Sequence, residues 1–272
     1  MAVITLTSAK GSPGVTTTAA ALALVWPRPV LLIEADVAGG SSILAGYFQG
    51  LQRHERGLVD LAAAHRSGRL LEGLHEASIP LGDSGARVVP GVSSPAQAGT
   101  MERLWEPIAA VLRGLESTGT DVIVDAGRLG AAGGPMPLVR EADVALLVTR
   151  TTLPAVAATR GRAAVLKDEL ANRGTGEDAL WMLLVGEGQP FSKREVASAV
   201  ELPTAATMAW DPVNAEVISL GKAPASKKKW ESSSFVRSAT ATASELDGII
   251  RGRRDKLAPA ALLSQLRGGP RG

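Results

Sequence analysis

The chain has no cysteine. That absence removes disulfides and thiolate metal ligands together, so neither a stapled secreted scaffold nor a zinc module is available. A reducing, cytoplasmic compartment is the expectation. Long apolar runs are missing as well: the most apolar early stretch, Ala19 to Trp26, ends at Pro27, whereas a membrane-spanning helix needs about 20 such residues. No basic flank precedes an apolar segment near the N-terminus. Val3, Ile4 and Leu6 lead straight into a glycine-rich loop, as a buried first strand would, so no signal peptide is expected. His54, His65 and His75 have neither metal-ligand spacing nor acidic partners close by. The five tryptophans are scattered, which suits core or interface anchors better than a stacking platform. There is no internal repeat.

What is present is a chain of 272 residues, 45% apolar, enough to bury the core of one α/β domain. Short apolar runs recur, each followed by a longer Ala/Leu-rich periodic stretch, which is the pattern of βαβ units. The predicted fold class is therefore α/β, a mostly parallel sheet of about seven strands with helices on both faces. Strands are expected at Val3–Leu6, Val30–Ile33, Ala86–Val89, Val122–Val124, Val144–Val148, Met182–Val185 and Ala205–Ala209. Helices are expected at Thr17–Val25, Gly57–Arg66, Ala96–Leu115, Leu153–Arg173, Ser192–Val200, Val213–Leu220 and Ser233–Ile250. Gly127–Gly134 and Lys222–Ser234 read as surface loops.

Charge divides the chain unevenly. The net charge is +2, but residues 251–272 carry +5 and residues 1–250 carry −3. The domain is accordingly expected to span 1–250, with a basic, flexible tail over 251–272. A body of negative charge offers no basic face for DNA. Contact with nucleic acid or a membrane surface is left to the tail, where Leu257, Ala261, Leu262 and Leu266 could line one side of a short helix interrupted by Pro259.

The most informative segment follows the first strand: Lys10-Gly11-Ser12-Pro13-Gly14-Val15-Thr16-Thr17, then an Ala/Leu helix. Strand, glycine turn, hydroxyl residues and helix N-terminus stand in the order a phosphate cradle needs. Glycine lets the backbone curl with its N–H groups inward, and the helix dipole adds positive potential. The ordinary phosphate-binding loop ends in Gly-Lys-Ser/Thr, with the lysine on the β- and γ-phosphates. Here that position is Val15.

The stretch resembles the deviant Walker A loop of the ParA/MinD group of ATPases, Lys-Gly-Gly-x-Gly-Lys-Thr-Thr. Lys10, Gly11, Gly14, Thr16 and Thr17 match, while Ser12 replaces a glycine and Val15 the catalytic lysine. Val30-Leu-Leu-Ile-Glu34-Ala-Asp36 resembles the group's second strand and switch I, and Val122-Ile-Val-Asp125-Ala-Gly127 its Walker B strand and switch II. The resemblance implies a P-loop NTPase fold of the SIMIBI type, with ATP and Mg²⁺ as ligands and a homodimer as the working unit. It places Lys10 and Asp36 as catalytic residues and Gly11, Ser12, Gly14, Val15, Thr16, Thr17 and Asp125 around the nucleotide. Thr16, Asp36 and Asp125 would surround Mg²⁺. Two further departures stand out: Gly186 occupies the place of a base-reading Asn, and Ala209-Trp210-Asp211-Pro212 resembles a Pro-x-Asp motif without its first proline.

In overall style the chain is most similar to MinD-type proteins of the CpaE/TadZ sort, found in high-GC bacteria beside pilus or secretion ATPases, which implies service to a pilus, secretion or cell-pole apparatus. Two functions are then in contention. One is a localisation or scaffold protein that keeps the fold and hydrolyses ATP poorly or not at all. The other is an active ATP-hydrolysing dimeric switch for partitioning or septum-site positioning. The missing lysine favours the first, since phosphoryl transfer depends almost wholly on positioning and electrostatics.

Overall fold

The computed structural model describes residues 1–10, 12–83, 85–115 and 119–257. Eight strands form one sheet: β1 (Val3–Ser8), β2 (Val30–Glu34), β3 (Ile79–Leu81), β4 (Ala86–Val89), β5 (Asp121–Arg128), β6 (Val144–Arg150), β7 (Leu180–Val185) and β8 (Thr204–Met208). Their spatial order is β3-β4-β2-β5-β1-β6-β7-β8, parallel throughout except for β3, which pairs antiparallel with β4 at the edge. The expected seven strands are all present. The eighth, β3, has only three residues and contains Pro80, so it lacks the apolar alternation that marks a strand in sequence.

The helices are α1 (Val15–Val25), α2 (Ser42–Ala45), α3 (Leu61–Arg66), α4 (Leu70–Ala77), α5 (Ala98–Glu102), α6 (Trp105–Gly114), α7 (Met136–Arg140), α8 (Leu153–Arg173), α9 (Lys193–Val200), α10 (Pro212–Ser219), α11 (Lys227–Glu231) and α12 (Ser234–Leu257). The single helix expected over Ala96–Leu115 is two, because the chain breaks at Arg103 and Leu104 between α5 and α6. Its apolar stripe is nonetheless core, with Met101, Trp105, Ile108 and Leu112 buried. The segment read as a loop at Lys222–Ser234 contains α11, whose N-terminus is capped by the Ser226 hydroxyl accepting from the Lys229 N–H.

Alternating residues of each strand serve two cores, as a parallel sheet covered on both faces requires. Val3, Val122, Val124, Ala145 and Leu147 join the layer of α3 to α9. Ile4, Leu6, Ile123, Val144 and Leu146 join the layer of α1 and α12. At the start of β5 the carboxylate of Asp121 ties three segments together. It accepts hydrogen bonds from the Ala2 N–H (2.7 Å), the Trp26 indole (2.8 Å) and Arg28 Nε (2.8 Å). Arg28 also pairs with Asp247 of α12 at 2.8 Å.

The domain boundary expected at residue 250 falls inside α12. Arg253, 6% exposed, donates to the carbonyls of Asp143 and Thr175 and to the Asp178 carboxylate, so the first part of the basic segment is packed on the body. The rest, residues 258–272 with Ala261, Leu262 and Leu266, lies outside the described residues. A chain ending at Leu257 should melt like the full chain. Arg253→Met should cost about 2 kcal/mol, because two partly buried carbonyls lose a charged donor, and paired thermal melts distinguish the two variants.

Candidate functional site

The residues predicted from sequence converge at the carboxyl ends of β1, β2 and β5. That edge is where an open α/β sheet binds ligands. After β1 the loop turns through Ser12 (φ 42°) and Gly14 (φ 91°) before α1 begins. The space around Gly14 is open, so glycine is needed there for its left-handed backbone and not for room. Gly14 caps α1 without a side chain, and its carbonyl accepts the first helical bond from Thr18 N at 2.8 Å. The N–H groups of the first turn are thus left without a side-chain cap at the positive end of the helix, the setting of an anion site.

Ser12, Pro13, Gly14, Val15, Thr16, Thr17 and Asp36 line one cavity of about 530 Å³, together with Ser8, Gly127 and Arg128. Pro13 has no N–H to offer it. Val15, at the lysine position, is 6% exposed and belongs to the core beneath the loop, so its side chain brings no charge and no donor. Lys10 is exposed at the exit of β1, and Gly11 lies outside the described residues.

Asp125 is 1% exposed and accepts hydrogen bonds from the Thr16 hydroxyl and, at 3.0 Å, from the Gly127 N–H. Burial pushes its pKa up to about 6, with a further upward push from Asp36. Gly127 leaves no room for a side chain while Asp36 keeps its place: a Cβ there would stand 2.2 Å from Asp36 Cγ, which shows how closely β5 and Asp36 approach. Asp36 itself is half-buried and accepts from the Ala38 N–H at 2.9 Å. Among the described residues no three His, Cys, Asp or Glu side chains gather as a metal cage. Mg²⁺ does not need one, since it is commonly held by one or two carboxylates with phosphate oxygens and waters. A buried carboxylate held by a hydroxyl and an N–H, facing a second carboxylate, fits such a cation. Thr16, Asp36 and Asp125 are the residues that would hold it.

Sequence reasoning passed over Glu34. It is buried beside this group, accepting from the Ser41 hydroxyl, the Ile43 N–H (3.2 Å) and the Gly91 N–H (3.4 Å), and burial raises its pKa to about 7. Only its strand position marked it in the sequence. Because the folded state holds a proton that the unfolded chain releases, the sign is fixed. Stability of the metal-free protein is greatest below about pH 4.5 with respect to this group and falls as pH rises through about 7. Glu34→Gln should remove that slope and gain on the order of 2–3 kcal/mol relative to wild type at pH 8, read by urea denaturation at pH 5 and 8.

Trp210 is not a core anchor. It is 45% exposed, rims a neighbouring cavity of about 230 Å³ that shares loop residues Ser12 to Gly14, and carries the Arg150 guanidinium 3.4 Å over its ring. Gly186, at φ 78°, lies against it; a Cβ there would come within 3.1 Å of Trp210 Cβ. A side chain at position 186 would thus meet a crowded corner. A larger apolar cavity, about 630 Å³, opens at the opposite ends of the strands beside Pro29 and Leu74. It touches none of the loop, and Arg87 in its wall is already bound to Ser78.

No protein-family model matches the chain, and no curated protein is significantly similar to it. Solved structures do match along its length. The septum site-determining protein MinD of Pyrococcus horikoshii, complexed with Mg-ADP, superposes with a TM-score of 0.68 at 18% identity, over 93% of this chain and 98% of that one. A ParA family ATPase from Chlorobium tepidum gives 0.70 at 18% identity, over 89% and 98%. The MinC:MinD cell division complex of Aquifex aeolicus gives 0.66 at 18%, over 91% and 96%. This chain therefore has the fold of the MinD and ParA P-loop ATPases, with the predicted loop at the carboxyl edge of its sheet.

Proposed function

We propose that the chain is a localisation or scaffold protein of the MinD/ParA kind that binds ATP or ADP with Mg²⁺ weakly and turns it over little or not at all. The carrying observation is Val15, buried at the head of α1 where the group's lysine would meet the phosphates. Backbone donors, Thr16 and the Asp36/Asp125 pair remain, so the site retains the means to hold a nucleotide. Bound Mg²⁺ would neutralise phosphate charge. The relative solved with Mg-ADP lends support to these ligands, and the MinC:MinD complex lends support to a protein partner. In the cell we place the protein in the cytoplasm or at the membrane periphery, beside a pilus or secretion apparatus. Among the described residues no helix is long and apolar enough to cross a membrane.

The retained Thr16–Asp125 hydrogen bond also favours a second reading, an active ATP-driven dimeric switch. Calorimetric titration of ATP and ADP with and without Mg²⁺ separates both readings from a protein with no nucleotide site. The proposal expects weak, measurable heats. Their absence would remove the nucleotide from its function.

Self-association as a face-to-face dimer belongs to the same proposal. Lys10 is exposed at the carboxyl edge, and the exposed apolar residues Leu153, Trp210 and Val213 follow β6 and β8 at that edge. Sedimentation at tens of micromolar, on the order of a modest interface affinity, should show a dimer that Lys10→Ala weakens. A monomer with and without ATP would contradict it.

A further inference from the structure

We propose that Arg128 supplies the cationic phosphate contact that the loop lacks at Val15. The inference rests on the reading of the 530 Å³ cavity as a polyphosphate site and assigns its missing charge to a residue from another element.

The backbone aims Arg128 there. Strand β5 pairs with β1 at Leu6↔Asp125 and next at Ser8↔Arg128, so three steps along β5 oppose two along β1. Such a bulge inserts one residue and redirects the side chain beyond it. Gly127 takes the left-handed position, at φ 57°, which glycine adopts freely. Arg128 is thereby brought level with Ser8, the last residue of β1 before the loop, and lines the cavity with Ser12 to Thr17.

Its surroundings point to an external anion. Every other residue of β5 is buried and Arg128 is exposed. Two carboxylates stand at the same site, yet Asp36 and Asp125 bind the Ala38 N–H, the Gly127 N–H and the Thr16 hydroxyl instead. Among the described residues the Arg128 guanidinium makes no hydrogen bond and no ion pair. A guanidinium presents a planar fork matched to two phosphate oxygens, and here it would close on a phosphate from the side opposite the α1 N–H groups. An exposed arginine that no neighbouring side chain holds in place adds affinity without the fixed placement that speeds phosphoryl transfer, so this contact goes with binding more than with turnover.

The test uses the full chain and two probes, sodium tripolyphosphate and ADP, titrated calorimetrically into wild type, Arg128→Ala, Arg128→Lys and Arg160→Ala. Arg160 is an exposed α8 residue paired with Glu201 and controls for net charge. Arg128→Ala should weaken both probes about tenfold or more, with Arg128→Lys between and Arg160→Ala unchanged. Melting curves verify that each variant folds. Wild-type affinity for tripolyphosphate in Arg128→Ala would overturn the assignment and leave the phosphate site standing. Equal losses in Arg128→Ala and Arg160→Ala would reduce the effect to diffuse attraction and also overturn it. If wild type binds neither probe, the phosphate site itself is refuted, and the assignment falls with it.

Discussion

Replacing Val15 with lysine should raise steady-state phosphate release about a hundredfold or more above the Asp125→Ala background. The position heads α1 and lines the 530 Å³ cavity, so the four methylenes of a lysine could turn from the buried site of the valine side chain into that cavity and carry the ammonium there. There it would neutralise phosphate charge in the ground state and follow it toward the transition state. Removing one preorganised contact of this kind typically costs about 2.7–4 kcal/mol in the transition state, and restoring it should return a comparable amount. The gain must vanish in the double variant with Asp125→Ala, which removes the carboxylate bound to Thr16. A Val15→Lys protein no faster than wild type would mean that Pro13, or the Arg150–Trp210 corner, already prevents turnover.

Asp121→Ala should be the most destabilising single change away from the site, costing about 3–5 kcal/mol. Asp121 is 1% exposed, and its two oxygens serve the N–H of Ala2, the Trp26 indole and Arg28. Truncation strands the Ala2 and Trp26 donors in the interior and frees Arg28 from one of its two carboxylates. It also unties the start of β1 from the end of α1. For a chain of this size the loss corresponds to a fall of roughly 10 °C or more in melting temperature. Asp121→Asn, which keeps one acceptor, should lose about half as much. Differential scanning calorimetry at pH 7 compares the two.

Much of this fold is legible because a doubly covered parallel sheet forces short apolar runs, and seven of those runs are strands in the structure. What escaped has local causes. β3 is short and contains a proline, and the break between α5 and α6 leaves the apolar period intact, so periodicity runs straight through it. The end of α12 was hidden by charge: Arg253 reads as tail in a basic stretch, and the carbonyls of Asp143 and Thr175 with the Asp178 carboxylate show why a guanidinium is buried there.

The candidate site was legible where backbone conformation dictates residue type. Gly14 and the hydroxyls of Thr16 and Thr17 mark the loop, and Asp36 and Asp125 stand just beyond or within strands that end at one edge. Glu34, Arg128 and the Arg150–Trp210 stack were not, since each depends on contacts between segments far apart in sequence. Trp210 shows the limit plainly: nothing in its neighbours distinguishes an exposed ring under an arginine from a core anchor.

The central claim, a nucleotide site that holds without hydrolysing, is tested most directly by steady-state phosphate release from the wild-type chain with saturating Mg-ATP, using Asp125→Ala as the background. The account predicts that the two rates coincide. Wild-type turnover well above background and abolished by Asp125→Ala would contradict it.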